Sequence, residues 1–238
     1  VIVNPDLQNH QLQIQYKFNN QNEAKVNLQS FIIDPVTNKK WLVKVNQANI
    51  KESQFKTTIP IPASAIYWNE FSPELYHLVT IIKSVYGIDT VITSFGLREL
   101  STKKGDLYLN DSRIFIRGNL ECIIFPLKGY PPMQTKEWEQ LFKKAKTYGL
   151  NTFRFHSWCP PEAAFEAADN LGFYLQIELP YWNLKVGEDT AAFRFLRDEA
   201  HRILNTYGNH PSFLFFSMGN ELEGDFNNNV KIKNAFHF

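Results

Sequence analysis

Over the first hundred residues, apolar and polar positions alternate. Leu12, Ile14, Tyr16 and Phe18 take every second place, with Gln11, Gln13, Gln15 and Lys17 between them. A period of two puts each set on one face of a β-strand. Val26, Leu28 and Phe31-Ile32-Ile33 repeat the theme, as do Lys40–Val45, Phe55–Ile59 and Tyr76–Ile82. Asp34-Pro35-Val36-Thr37-Asn38 reads as a turn, and Pro, Asn, Gly and Ser fill the other gaps. No helical period shows in this part. Six or seven short strands at such spacing predict an immunoglobulin-like β-sandwich over residues 1–100, without the inter-sheet disulfide of antibody domains.

Near residue 100 the period changes. Lys103-Lys104-Gly105-Asp106 is a polar break, and Leu107–Gly118 reads as a hairpin turning at Asn110-Asp111 and feeding a strand. Strand and helix then alternate. Thr135 is placed to cap a helix whose apolar positions are Trp138, Leu141, Phe142 and Ala145, with Gly149 ending it. Asn151–His156 is a strand. Pro161 opens a second helix that carries Ala164, Phe165 and Ala168 on one face and stops at Gly172. Phe173–Glu178 is a strand, and residues 190–207 form a third helix. Ser212–Met218 is a continuous apolar run between Pro211 and Gly219, the composition of a strand buried on both faces. The series implies parallel strands with right-handed crossovers, as in a barrel or a doubly wound sheet, over residues 101–238.

Composition narrows the function classes. The chain has 238 residues, 44% apolar and 15% aromatic, and a net charge of +1. That balance gives no electrostatic case for nucleic acid or an anionic membrane, and no apolar run is long enough to span a bilayer. Cys122 and Cys159 lack zinc-ligand spacing. They follow consecutive strands, so the alternatives are a disulfide between them or two buried thiols. No ligand cluster calls for a metal or another cofactor.

Three strands of the second part end in polar groups: Arg154 and His156, Glu178, and Asn220-Glu221. Carboxyl ends of parallel strands share one rim, and open α/β sheets and barrels place their chemistry there. These residues are therefore the candidate site.

Several segments, taken in order, resemble glycoside hydrolase family 2, the family of β-galactosidases, β-glucuronidases and β-mannosidases. They are Trp68–Leu78, Phe95-Gly96-Leu97-Arg98, Leu109-Asn110 to Arg117-Gly118, Asn151–His156, and Asn209-His210-Pro211-Ser212 through Gly219-Asn220-Glu221. The resemblance implies a sandwich followed by about half of a TIM (β/α)8 barrel and a retaining hydrolysis of a terminal β-glycosidic bond. It implies that Glu221 is the general acid/base. A carboxylic acid donates a proton to the leaving oxygen near neutral pH only when burial or nearby negative charge favours its protonated form. It implies that Asn220 meets the sugar 2-hydroxyl and that Arg154 lies beside the nucleophile. His156 and Glu178 would line the subsite, and Trp158 and Trp182 would offer stacking faces.

The sequence also departs from that pattern: the family's N-terminal sugar-binding jelly roll has no counterpart, and Val1 to Asn9 resembles the linker that would follow it. Retention needs a second carboxylate about 5–5.5 Å from the first, carried in the family by the seventh barrel strand. The chain reads as an internal segment without that strand, and the polypeptide alone is expected to be inactive. Glu223 and Asp225 are the nearby acids, and they read as solvated loop groups. Cys122–Met133 and Ser157–Pro161 replace the family's usual loops, so no sugar specificity carries over. The open edges of a half barrel suggest self-association or pairing with a missing C-terminal half. A noncatalytic carbohydrate-binding relic is the alternative to the enzyme. Periplasmic or secreted placement follows only from the habits of polysaccharide-degrading enzymes.

Overall fold

The computed structural model describes residues 1–18, 25–43, 48–49, 54–182 and 190–222. The chain divides into two compact units: Val1–Phe115 with Asn209–Pro211, and Ile116–Gly208 with Ser212–Phe238. The sequence reading drew its boundary at residue 100.

The first unit is built of strands. In order these are β1 (Ile2–Asp6), β2 (Gln11–Lys17), β3 (Lys25–Ile33), β4 (Lys40–Val43), β5 (Ala48–Asn49), β6 (Gln54–Pro60), β7 (Tyr76–Ser84), β8 (Gly87–Phe95), β9 (Leu100–Lys103), β10 (Asp106–Leu109) and β11 (Ser112–Ile114). One sheet has the order β1-β2-β6; a second runs β4-β3-β7-β8, with β5 also paired to β3. All these pairings are antiparallel. Leu12, Ile14 and Tyr16 of the first sheet share one buried cluster with Leu28, Ile32, Tyr76, Leu78 and Phe95 of the second. The alternation in the sequence thus becomes two faces, one turned into a common core. Strand β1 corrects the linker reading of Val1 to Asn9. Its residues are mixed and polar, but their backbone pairs with β2 from Ile2↔Gln15 to Asp6↔Gln11.

Turn chemistry is local and explicit. The Asp34 carboxylate accepts the backbone N–H groups of Val36 and Thr37, and Asn38 takes φ 54° to close the loop before β4. Asn110 and Asp111 both have positive φ, as a two-residue hairpin turn requires.

Two of the sequence motifs explain one another inside this unit. A Cβ on Gly96 would lie 2.7 Å from Pro211 side-chain carbons and 2.9 Å from the Trp68 Cβ, so only glycine fits. Arg98 Nε donates to the Pro211 carbonyl at 2.6 Å. The Asn209 side chain accepts from the Val3 N–H at 2.9 Å and donates to the Val1 carbonyl at 2.8 Å. The Asn-His-Pro and Phe-Gly-Leu-Arg stretches therefore carry packing.

The second unit is a four-stranded parallel sheet, β12 (Gly118–Glu121), β13 (Thr152–Phe155), β14 (Tyr174–Glu178) and β15 (Phe213–Ser217), in that spatial order. Helices α1 (Thr135–Thr147), α2 (Glu162–Leu171) and α3 (Thr190–Tyr207) connect successive strands. Their apolar stripes, Trp138 and Phe142, then Ala164, Phe165 and Ala168, then Leu196, Ala200 and Ile203, close over one face of the sheet. Gly172 ends α2 in the left-handed region at φ 61°. Thr135 does not cap α1. Gln134 holds that position without a side-chain bond, and the Thr135 hydroxyl donates to Glu166 at 2.5 Å. No helix among the described residues is long and apolar enough to cross a membrane.

Candidate active site

The parallel register sorts the side chains of the second unit. Phe153 and Phe155 share a face with the helices, packing against Phe142, Phe173 and Trp138. Arg154 therefore points to the opposite face, together with its pairing partner Gln176. Glu178, two residues on, lies on that face beside Ser217. One face is thus apolar and helix-covered. The other becomes polar toward the carboxyl ends of the strands.

Arg154 organises this polar face. Its Nε donates to Glu178 Oε1 at 2.5 Å, and its Nη2 donates to Asn220 Oδ1 at 2.8 Å. Glu178 is completely buried and also accepts from Ser157 Oγ at 3.1 Å and Gln176 Nε2 at 3.3 Å. A buried carboxylate persists only with a counter-charge and filled lone pairs, and this one has both. Ser157 and Gln176 are members of the site that the sequence reading did not single out. Gln176 could have been found, because it lies one strand period before Glu178.

Asn220 is held by backbone. Its N–H donates to the Tyr181 carbonyl at 2.9 Å, and it bridges in parallel to Trp182. The preceding Gly219 has φ 144°, and a Cβ there would lie 2.4 Å from the same carbonyl oxygen. Glycine is required for the chain to pass Tyr181 so closely. The Asn220 side chain is buried, and its Nδ2 has no hydrogen-bond partner among the described residues. Glu221 follows, exposed, with φ 48°.

The remaining predicted residues separate. The His156 ring meets Trp182 edge-on, with centroids 5.3 Å apart, and Trp182 is 61% exposed. The His156–Ser157 peptide bond is cis. Trp158 packs edge-on against Phe155 at 5.3 Å and belongs to the helix-side core. Of the two indoles, Trp182 has an open face. Glu223 and Asp225 lie outside the described residues, as does the stretch 227–238.

A third strand-end carboxylate, Glu121, is absent from the sequence reading, although it ends β12 as Glu178 ends β14. Register puts it opposite Phe155, on the helix side. Its two oxygens each lie 3.1 Å from the N–H of Ile123, which takes φ 61°, a rare conformation for a β-branched residue. Burial pushes the Glu121 carboxyl up, while the N–H groups of Ile123 and Ile124 and the Trp158 indole pull it down; burial wins. A largely apolar space of about 660 Å³ is lined by Glu121, Leu120, Phe125, Leu127, Leu141 and Phe153. It lies beside β12 and α1 and does not include Arg154, Glu178 or Asn220.

Cys122 and Cys159 are free thiols, and Cys122 is exposed, so neither the disulfide nor the paired burial expected from sequence holds. Burial pushes the Cys159 thiol up to about 12. No group of three or more His, Cys, Asp or Glu suited to a metal ion occurs among the described residues.

Residues 1–98 match the sequence profile of "Glycosyl hydrolases family 2". A putative beta-glucuronidase of Formosa agariphila is 26% identical over 210 residues, which cover 86% of this chain and 24% of that protein. A beta-galactosidase of Priestia megaterium is 26% identical over 184 residues, 71% of this chain and 18% of the relative. The crystal structure of Parabacteroides merdae beta-glucuronidase shares the fold over 91% of this chain and 27% of its own, with a TM-score of 0.73 and 22% identity. A beta-glucuronidase from Ruminococcus gnavus superposes with a TM-score of 0.75 over 98% of this chain and 38% of its own, at 20% identity. The chain spans about a quarter of the length of the first of these relatives.

Proposed function

We propose that this chain, a relative of the family 2 glycosyl hydrolases, carries the acid/base half of the active site of a retaining β-glycosidase. On this reading the first unit is an immunoglobulin-like sandwich and the second supplies the first four strands of a (β/α)8 barrel. The observation that carries the proposal is the triad at the strand ends. Arg154 holds Glu178 on one side and the Asn220 carbonyl oxygen on the other. That fixes the Asn220 amide with its Nδ2 donor turned away from Arg154 and unpartnered.

A buried donor without a partner suits a ligand acceptor. The sugar 2-hydroxyl is the group that gains most from such a bond, because the contact strengthens as the transition state takes on oxocarbenium character. Glu221, next in the chain, delivers the proton to the leaving oxygen. Bound substrate covers it during the reaction. The open face of Trp182, braced by His156, stacks on the apolar face of a pyranose ring. Arg154 and Glu178 act on the substrate through Asn220.

Of the strand-end carboxylates, Glu178 is buried and tied to three donors, and Glu121 faces the helices. Neither is placed to attack an anomeric carbon. We infer that the 238-residue chain alone does not turn over aryl β-glycosides, and that the activity belongs to a longer polypeptide containing it.

The test is Glu221→Gln in that longer protein, assayed on glycosides with good and poor leaving groups. Only poor leaving groups need the proton, so alkyl glycosides should lose far more rate than nitrophenyl glycosides. Equal losses on both would remove Glu221 from the acid role. The noncatalytic carbohydrate-binding reading rests on Glu221 being exposed while the unpartnered Asn220 amide is bridged to Trp182, whose face is open. Sugar binding without hydrolysis by the longer protein would favour it.

A further inference from the structure

Among the described residues strand β8 is the end strand of its sheet, nine residues long and paired to β7 without interruption from Tyr76↔Phe95 to Ser84↔Gly87. From Gly87 to Ile92 every residue is exposed, including Ile88 at 70% and Ile92 at 64%. Natural edges are guarded by lysine, proline, a bulge or a short length. The β8 sequence Gly-Ile-Asp-Thr-Val-Ile-Thr-Ser-Phe has none of these; its one charge, Asp89, accepts the Thr90 N–H at 2.8 Å, a bond that strand pairing would exchange for one to the other copy.

The hairpin fixes which backbone groups face outward. The two-residue loop Val85-Tyr86 makes Ser84 and Gly87 its closing pair. Along an antiparallel ladder, alternate residues bond inward. Ile88, Thr90, Ile92 and Ser94 therefore turn their N–H and C=O groups away from β7. The same residues share the face of the sheet opposite Tyr76, Leu78 and Phe95, which are in the core. One row of that outer face is apolar: Leu42, Phe31, Val79 and Ile92 run across the four strands, with Gln29, His77, Lys83 and Thr90 on the same face.

We propose that β8 is a self-association edge, on which two copies of this chain pair antiparallel about a two-fold axis through Thr90. Ile88-Asp89-Thr90-Val91-Ile92 is nearly palindromic in its apolar and polar pattern. In this register Thr90 meets its own copy, and Ile88 of each chain meets Ile92 of the other. These are the positions whose backbone groups face outward. Each Asp89 lies opposite a Val91, so no like charges meet. Moving the axis to residue 89 would set Asp89 against Asp89, which cross-strand repulsion disfavours. In the favoured register the apolar row that ends at Ile92 meets Ile88 of the other copy, whose own row continues to Lys83. A two-fold interface requires a self-complementary patch, and β8 is one.

The experiment uses the full 238-residue chain. Sedimentation over a dilution series should show a monomer–dimer equilibrium. Thr90→Pro removes an outward N–H while leaving the β7 ladder intact, and Ile92→Lys guards the edge. Each should weaken association at least tenfold with the circular dichroism unchanged. Leu127→Asp, on the second unit, should leave association unaffected. In a Cys122→Ser background, Thr90→Cys should oxidise to a covalent dimer. Directly opposed bonded residues have Cα atoms about 5.5 Å apart, within disulfide reach. Ile92→Cys alone should not cross-link, whereas Ile88→Cys mixed with Ile92→Cys should. A chain monomeric at all concentrations would overturn the proposal and leave the edge to a strand of another polypeptide. So would a dimer indifferent to both β8 substitutions, one lost on Leu127→Asp, or equal self-cross-linking at positions 90 and 92.

Discussion

Arg154 and Asn220 lie 66 positions apart in sequence, and a 2.8 Å hydrogen bond from the guanidinium joins them. The same guanidinium is bound to Glu178 through Nε. One planar group thus serves two acceptors at once with its donors in fixed directions, whereas a lysine ammonium has three donors on a freely rotating head. In the longer glycosidase proposed above, Arg154→Lys should reduce kcat/KM about 100-fold through misplacement of Asn220. Steady-state kinetics with one aryl glycoside check this, and unchanged kcat/KM would remove Arg154 from its positioning role.

Glu178→Ala leaves the Arg154 charge without its buried partner. Breaking a fully buried pair costs about 3–5 kcal/mol. The Arg154 side chain is 38% exposed, so solvent recovers part of that, and a loss of about 2–3 kcal/mol is expected. Urea unfolding measures it. Glu178→Gln, which keeps the shape and an acceptor, should cost less.

Gly219→Ala places a methyl group 2.4 Å from the Tyr181 carbonyl oxygen at a backbone angle alanine avoids. A loss of about 2 kcal/mol or more is expected, together with a fall in activity, because Asn220 moves with the backbone. A shift in thermal midpoint gives the first and an assay the second.

Glu121 supplies a pH signature. Burial holds its carboxyl above the ordinary value, so the folded state binds the proton more tightly than the unfolded chain. Its contribution to stability is fully present below the unfolded value, about 4.3, and is lost as pH rises through the folded value. Glu121→Gln removes that dependence. The thermal midpoint of the variant minus that of wild type should therefore rise between pH 4 and pH 7. A difference that falls over this range would contradict the assignment.

The two thiols should react very differently. Cys122 is exposed, whereas burial leaves Cys159 a protonated thiol up to about pH 12. An aromatic disulfide reagent at pH 8 should titrate one thiol per native chain quickly and the second only after denaturation.

The strongly periodic segments were readable from sequence, because burial on one face leaves a trace at fixed spacing. Helix α2 starts after Pro161 and stops at Gly172 as predicted, and β2 keeps its alternation. Strand β1 was not readable. As an outer strand it is held largely by backbone pairing and buries only Val3 deeply, so no period shows in its residue types. The cap at Thr135 failed because its hydroxyl found Glu166, a residue 31 positions away. Within the site, the strand-end rule pointed to Arg154, Glu178 and Asn220 but not to how they bond. Ser157 and the Tyr181 carbonyl enter through loop geometry, which no local pattern encodes. Trp158 and Trp182 look alike as loop aromatics, and only the fold turns one inward and the other out.

The alternation along β13 and β14 has a consequence for how such a protein can change over generations. Phe153 and Phe155 pack against the helices, and Arg154 between them holds Glu178 and Asn220; Gln176 and Glu178 alternate in the same way with Leu175 and Ile177. Substitutions at Arg154, Gln176 and Glu178 can change the polar face without disturbing the aromatic packing beneath. Loss of a single residue from either strand would exchange the two roles at a stroke. Drift by replacement is therefore open at this site, and drift by insertion or deletion within the strands is closed.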